Sequence, residues 1–209
     1  MADATLEHEL AARLADQPGF EPGPRPQDLT LRLRRPDDLP GVVAELGAAG
    51  LGLAMLVASD ESETEGDVKV RYLFEPTDRP RLDGALLDCF VTLVAALDPG
   101  RLQLPSIAGQ VPGANWHERE AHDLFGITFL DHPDPRPLVV HDGWPKGLYP
   151  MRKGFDARQR PPVEPAEEFP HLVVEGEGVL EVPVGPIHAG IIEPGHFRFS
   201  TVGEYVLLL

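Results

Sequence analysis

The chain has 209 residues, 42% of them hydrophobic, and a formal net charge of −16. That length accommodates one domain, or one domain with an appendage, and the composition excludes wholesale disorder. With 34 acidic against 18 basic side chains, the chain is a poor match for a nucleic-acid backbone or an anionic membrane surface, both of which select clustered Lys and Arg.

The N-terminus, Met1-Ala-Asp-Ala-Thr-Leu-Glu-His-Glu, lacks the basic and apolar regions of a signal peptide. No apolar run reaches the roughly 20 residues that span a bilayer, so a cytoplasmic chain is expected. Residues 5–16 place Leu6, Leu10, Ala11 and Leu14 at helical spacing. Four prolines between Pro18 and Pro26 mark a loop. Leu29 to Arg34 alternates apolar and polar, as a half-buried strand does. Asp37-Asp38 predicts an N-cap and negative first turn for a helix through Ala48, closed by Gly50.

Leu51 to Ala58 is an apolar run of strand length, and Asp60 to Gly66 an acidic turn. In Asp67 to Glu75, Val68, Val70, Tyr72 and Phe74 share one side, so 51–75 reads as an antiparallel hairpin. Leu86 to Leu97 is helix or strand by periodicity; Val91, Thr92 and Val94 favour a strand. Its Cys89, the chain's single cysteine, reads as a buried inert thiol. One cysteine forms no internal disulfide and, without a Cys-x-x-Cys pair, holds no iron–sulfur cluster or structural zinc.

Pro105 to Pro112 reads as a loop, Trp116 to Phe125 as a helix with Asn115 as N-cap and Gly126 as stop, and Ile127 to Leu130 as a short strand. Residues 131–162 are proline-rich and extended, suited to packing against something larger. Between Pro161 and Phe197 there are seven Glu and no Lys or Arg, a stretch that is disordered or bound to a complementary surface. Phe197 to Leu209 reads as a hairpin turning at Gly203-Glu204, with an apolar last strand that leaves an edge to be covered. Together these elements predict an α+β fold. Its mixed or antiparallel sheet has about four to five strands with helices on one face. The predicted organisation is a domain over 1–130, an extended interaction segment over 131–180 and a hairpin-like tail over 181–209.

The densest chemistry lies in Asn115-Trp-His-Glu-Arg-Glu-Ala-His-Asp-Leu-Phe-Gly126. His117 and His122 are five apart, so on a helix their rings point about 140° from one another, and the two-histidine zinc pattern is not met. Glu118 and His122 share a face and define the competing reading of a stand-alone metal-dependent hydrolase. Glu120 and Asp123 are neighbours at i,i+3, suited to ion pairs. Ser106 has no nucleophile elbow around it, and no dinucleotide fingerprint or phosphate-binding loop occurs.

These residues carry a resemblance. Pro105-Ser-Ile, Ala114 through Ile127, Asp131-His-Pro-Asp-Pro-Arg136, Gly143-Trp-Pro and Pro150-Met-Arg-Lys resemble the 30-kilodalton subunit of bacterial NADH:quinone oxidoreductase (complex I). The resemblance covers about residues 30 to 155 and implies a compact α+β domain without cofactors. It implies packing against a large subunit and a cluster-bearing small subunit. Iron–sulfur clusters, flavin or nickel would reside only in those partners, with no nucleic acid and with membrane contact only through the complex, on its cytoplasmic face. It implies no catalytic residues here, and core or interface roles for Trp116, Glu118, Arg119, Glu120, Asp123, Leu124, Phe125, Gly126, His132, Pro133, Arg136 and Arg152. The family pattern His-Pro-Asp-Leu-Arg-Arg reads His132-Pro-Asp-Pro-Arg-Pro137 here, so one arginine is absent. Val182-Pro-Val-Gly-Pro-Ile-His188-Ala-Gly and Glu193-Pro-Gly-His-Phe-Arg198 resemble the opening of the large subunit of formate-hydrogenlyase-type nickel–iron hydrogenases. That resemblance implies an alternative, the N-terminal half of a split group 4 hydrogenase large subunit, with the nickel-binding Cys-x-x-Cys motifs in a partner.

Overall fold

The computed structural model describes residues 10–18, 20–22, 24–25, 28–77, 90–141, 143–158, 160–162, 165 and 171–209. Two compact units divide between residues 166 and 167. Leu6, Cys89 and the start of the 86–97 run lie outside the described residues. Of the first predicted helix, residues 10–13 are helical, and Leu10 and Leu14 are buried.

The first unit is built on a five-stranded sheet: β1 (Glu21–Pro22), β2 (Leu29–Arg32), β3 (Leu51–Glu61), β4 (Asp67–Pro76) and β5 (Val91–Leu97), in the order β1-β2-β5-β4-β3. β2 runs parallel to β5 and the other pairs are antiparallel, giving the mixed sheet of an α+β fold. The register lines up Leu31, Leu93, Tyr72 and Leu56 in one cross-strand row, all buried. Alternation puts Val68, Val70 and Phe74 on that same face, as read from the sequence.

The run at 51–58 has no alternation to read, and the reason is a bulge. Between Leu53 and Met55 the register against β4 shifts, so Leu53 opposite Phe74 and Leu56 opposite Tyr72 both face the core. Without the extra residue one of the two would face outward.

Helix α1 (Leu39–Ala48) follows a 3-10 turn over Pro36–Asp38 and buries Leu39, Val42, Val43 and Leu46, the i, i+3, i+4, i+7 stripe of a one-sided helix. Asp38 is the N-cap residue but makes no side-chain cap. Its carboxylate instead accepts Gln17 Nε2–H at 3.0 Å and Arg35 Nη2–H at 2.7 Å. A second helix, α2 (Ala114–Phe125), lies between β6 (Gln103–Pro105) and β7 (Thr128–Leu130), which pair in parallel. The sequence reads Pro105, the end of β6, as the start of a loop: a three-residue strand ending in proline carries no periodicity.

The second unit is a three-stranded antiparallel sheet, β8 (Val179–Ile187), β9 (Gly195–Val202) and β10 (Tyr205–Leu208), in the order β10-β9-β8. The β9–β10 hairpin turns at Gly203-Glu204 as predicted. β8 comes from the acidic stretch that reads as disordered or bound; Pro183 and Pro186 break its otherwise alternating pattern. Among the described residues no helix is long and apolar enough to cross a membrane.

Candidate functional site

The charge-dense stretch forms α2. The helix begins at Ala114, ahead of the predicted start, because the chain is already winding: Ala114 N–H reaches Val111 O at 2.9 Å. Gly113 is the N-cap in place of Asn115, with no side-chain bond. The helix stops at Gly126, whose φ of 78° is left-handed and whose N–H returns to His122 O at 2.8 Å.

On the inner face Glu118 is fully buried. Its carboxylate accepts Ser106 Oγ–H at 2.6 Å and Ile107 N–H at 2.8 Å, which ties α2 to the end of β6. His132 Nε2 lies 3.6 Å from it and 3.2 Å from Asn115 O. His132 Nδ1 accepts Asp134 N–H at 3.0 Å, so the ring proton sits on Nε2 and points at Asn115 and Glu118. Burial pushes the Glu118 carboxyl up, against the bonds from Ser106 and Ile107 and the nearness of His132. Tyr72, fully buried on β4, has its hydroxyl pushed well up by burial and then by the Glu118 charge, and that oxygen makes no hydrogen bond among the described residues.

On the next face Arg119 and Asp123, four residues apart, hold one loop. Arg119 donates from Nε to Arg136 O at 2.7 Å, from Nη2 to Pro137 O at 2.9 Å and from Nη1 to Asp134 at 3.3 Å. Asp134 also accepts two bonds from Arg136, at 2.7 and 2.8 Å, and that guanidinium holds its carboxyl well below the usual carboxylate range. Asp123 Oδ2 accepts the N–H groups of Leu138 and Val139 at 2.7 Å each and of Val140 at 3.3 Å. The 134–140 segment is thus bound to the helix through its backbone.

The C-terminal end holds a second loop. Leu124 O accepts Met151 N–H at 3.0 Å. A Cβ on Gly126 would come within 2.4 Å of the Tyr149 ring, so the loop packs against a position only glycine fits. Buried Asp60, at the end of β3, accepts Lys153 N–H at 2.9 Å and forms an ion pair with Arg152, whose Nε lies 3.0 Å away.

Of the residues singled out from the sequence, Glu118, Arg119, Asp123, His132 and Arg136 therefore meet in one connected network. Leu124, Gly126 and Arg152 hold the 149–153 loop, and Phe125 is in the core. Trp116, Glu120 and Pro133 do not join them: they face outward, Trp116 with 68% of its surface exposed. Sequence reasoning missed Ser106, Asp60, Asp134 and Tyr149. Asp134 and Ser106 have a signal, lying inside the quoted segments 131–136 and 105–107; Asp60 and Tyr149 are distant partners with none.

Glu118 and His122 do not assemble a metal centre. Glu118 is turned to Ser106 and Ile107, while His122 Nδ1 lies 2.9 Å from Ile127 O. The group of three carboxylates close enough to share an ion, among the described residues, is Glu61, Glu65 and Asp67. Lys69 already supplies the cation there: its ammonium contacts Glu65 and lies 2.7 Å from Glu61. Lys69, with Ser59 and Arg71, pulls the Glu61 carboxyl down to about 2.

Known proteins are similar in sequence and in fold. Residues 34–161 match the family described as respiratory-chain NADH dehydrogenase, 30 Kd subunit. Hydrogenase-4 component G of Escherichia coli K12 is 33% identical over 204 residues, 95% of this chain and 35% of that one. Formate hydrogenlyase subunit 5 of the same organism is 35% identical over 74% of this chain and 26% of its own length. The NADH-quinone oxidoreductase C/D protein of Phocaeicola vulgatus is 32% identical over 50% of this chain and 23% of its own. The chain thus spans between about a quarter and a third of these relatives. A trypsin-resistant fragment of Nqo5 superposes with a TM-score of 0.50 at 26% identity, covering 64% of this chain and 99% of the fragment. A chain of the archaeal membrane-bound sulfane sulfur reductase shares the fold, with a TM-score of 0.59 at 18% identity over 75% of this chain and 87% of that one. With the family match extending over more than half of its length, the chain belongs to the respiratory-chain NADH dehydrogenase 30 Kd subunit family.

Proposed function

We propose that this chain is a non-catalytic accessory subunit of a complex I-like redox complex. It docks on a large subunit and supports assembly and electron transfer to quinone. The observation that carries the reading is where the charges of α2 go. Glu118, Arg119 and Asp123 are each engaged by this chain's own backbone or side chains, and their bonds fix the loops at 106–107 and 134–140. A helix whose inward ionisable groups are consumed in holding loops shapes a surface rather than transforming a substrate. Clusters, flavin or nickel belong to the partner subunits in this reading, and the chain meets the cytoplasmic face of the membrane through them.

A second reading has a specific observation in its favour. The hydrogenase-4 component G alignment takes in 95% of the chain, against 50% for the Phocaeicola vulgatus C/D protein. This supports the N-terminal part of a group 4 nickel–iron hydrogenase large subunit.

One experiment tests both: the tagged chain is purified from native membranes and its companions are identified by mass spectrometry. Quinone-reductase subunits support the first reading, and a large subunit with two Cys-x-x-Cys pairs the second. Recovery of the chain alone overturns both.

A further inference from the structure

We propose that His132 is a proton-operated latch on the loop that follows β7. When its imidazole takes up a second proton it lets go of the backbone at Asp134 and pairs with Glu118, and residues 131–135 loosen. The inference goes beyond the accessory-subunit reading and does not depend on which complex the chain joins.

The His132 side chain is 3% exposed and faces a carboxylate that is fully buried. Its two ring nitrogens have partners of different kinds. Nδ1 accepts Asp134 N–H at 3.0 Å, with the two-residue reach of an Asx turn. Nε2 lies 3.2 Å from Asn115 O and 3.6 Å from Glu118. An imidazolium donates from both nitrogens and accepts at neither. A proton on Nδ1 therefore sets N–H against N–H and ends the bond to Asp134. The same proton turns the approach to Glu118 into an ion pair shielded from water. The backbone beside it is poised to move. Asp131, one residue before, has a φ of 60°, a left-handed conformation that a non-glycine residue keeps only while its surroundings hold it.

The charged and titratable groups around the ring are Glu118, Arg119 and His122 of α2, Tyr72 of β4, and Asp134 and Arg136 of its own loop. Arg119 and Arg136 are engaged by Asp134 and by backbone carbonyls, and His122 by Ile127 O. Tyr72 stays neutral, because burial pushes its hydroxyl well up. That leaves Glu118 as the charge a cation on His132 meets. An imidazole is more basic than a carboxyl by about two pH units from the outset. Ser106, Ile107 and His132 all hold Glu118 in its charged form against burial, so the added proton goes to the ring. The far end of the loop stays in place. Arg119 holds the carbonyls of Arg136 and Pro137, and Asp123 the N–H groups of Leu138 and Val139.

The test is an NMR titration of the isotope-labelled full-length chain from about pH 8 to about pH 5, the span in which an imidazole changes charge. At the upper end His132 is expected to be neutral, with its proton on Nε2. As the ring gains its second proton, protection of the Asp134 amide falls about tenfold at the same midpoint, the loss of one hydrogen bond. Leu138 and Val139 keep their protection within about twofold. In His132→Asn, where Oδ1 can accept Asp134 N–H and does not titrate, the Asp134 amide stays flat. In Glu118→Gln the midpoint drops by about one pH unit, because the cation has lost its partner. The proposal is overturned by a proton on Nδ1 at the upper end, or by a ring still neutral at about pH 5. It is equally overturned if the Asp134 amide does not follow the ring, loosens in His132→Asn as well, or loosens together with Leu138 and Val139. An unmoved or raised midpoint in Glu118→Gln has the same force. If a variant does not fold, the coincidence of ring and amide midpoints in the wild type decides the matter alone.

Discussion

Glu118 is the residue where chemistry and structure part company. A fully buried carboxylate with two donors aimed at it could be a general base, but both donors are structural groups at the end of β6. Removing the acceptor strands Ser106 Oγ–H and Ile107 N–H, so Glu118→Ala is expected to destabilise the chain by about 3 kcal/mol in urea titration, and Glu118→Gln by about 1. The pH dependence follows from burial. Because the folded-state pKa is raised above 4.5, the contribution of this group is fully present below that value and is lost as pH rises through the raised one. Thermal melts from about pH 4.5 upward should therefore show wild type losing ground to Glu118→Gln. An unchanged difference between the two would contradict the assignment. Glu118, Arg119 and Asp123 announced themselves in the sequence as a cluster of charge. Most of what they hold is backbone N–H and C=O of residues 107 and 136–140, and composition carries no signal for that.

At the scale of elements, α2 is a rivet for two loops. Asp123→Ala removes the shared acceptor of 138–140; we expect a cost of about 2 kcal/mol, with faster amide exchange confined to that segment. Gly126→Ala combines left-handed backbone strain with collision against Tyr149, for about 2–4 kcal/mol and early proteolytic cutting near 149–153. In the β3–β4 hairpin the linkage has the opposite sign. Glu61, held near 2 by Lys69, stabilises the fold above 4.5, and that support is lost as pH falls through 2. Acid titration should show Glu61→Gln with a shallower loss of stability than wild type below about pH 4.5. The hairpin itself was legible, because β4 alternates cleanly between a core face and a half-open one. β6 and β8 were not: the one is too short for a period, and prolines interrupt the other. The bulge in β3 was equally hidden, since an apolar run of strand length does not show where its register shifts.

At the scale of the molecule, the family and the α+β class were readable because the motif residues are tied to the fold itself. Their hydrogen bonds place β6, α2 and the 134–153 loops relative to one another, so the fold and the motif go together. What the sequence could not supply was the division at 166/167 or the pairing of β8 with β9, which depend on contacts between distant strands. The central claim is that the charge cluster builds a docking subunit and does no chemistry. It is tested most directly by turnover per assembled complex in membranes carrying Glu118→Gln. The account predicts less assembled complex on native gels, with turnover per complex within about twofold of wild type. A fall of about a hundredfold in turnover at full assembly, the loss typical of a removed general acid or base, would contradict it.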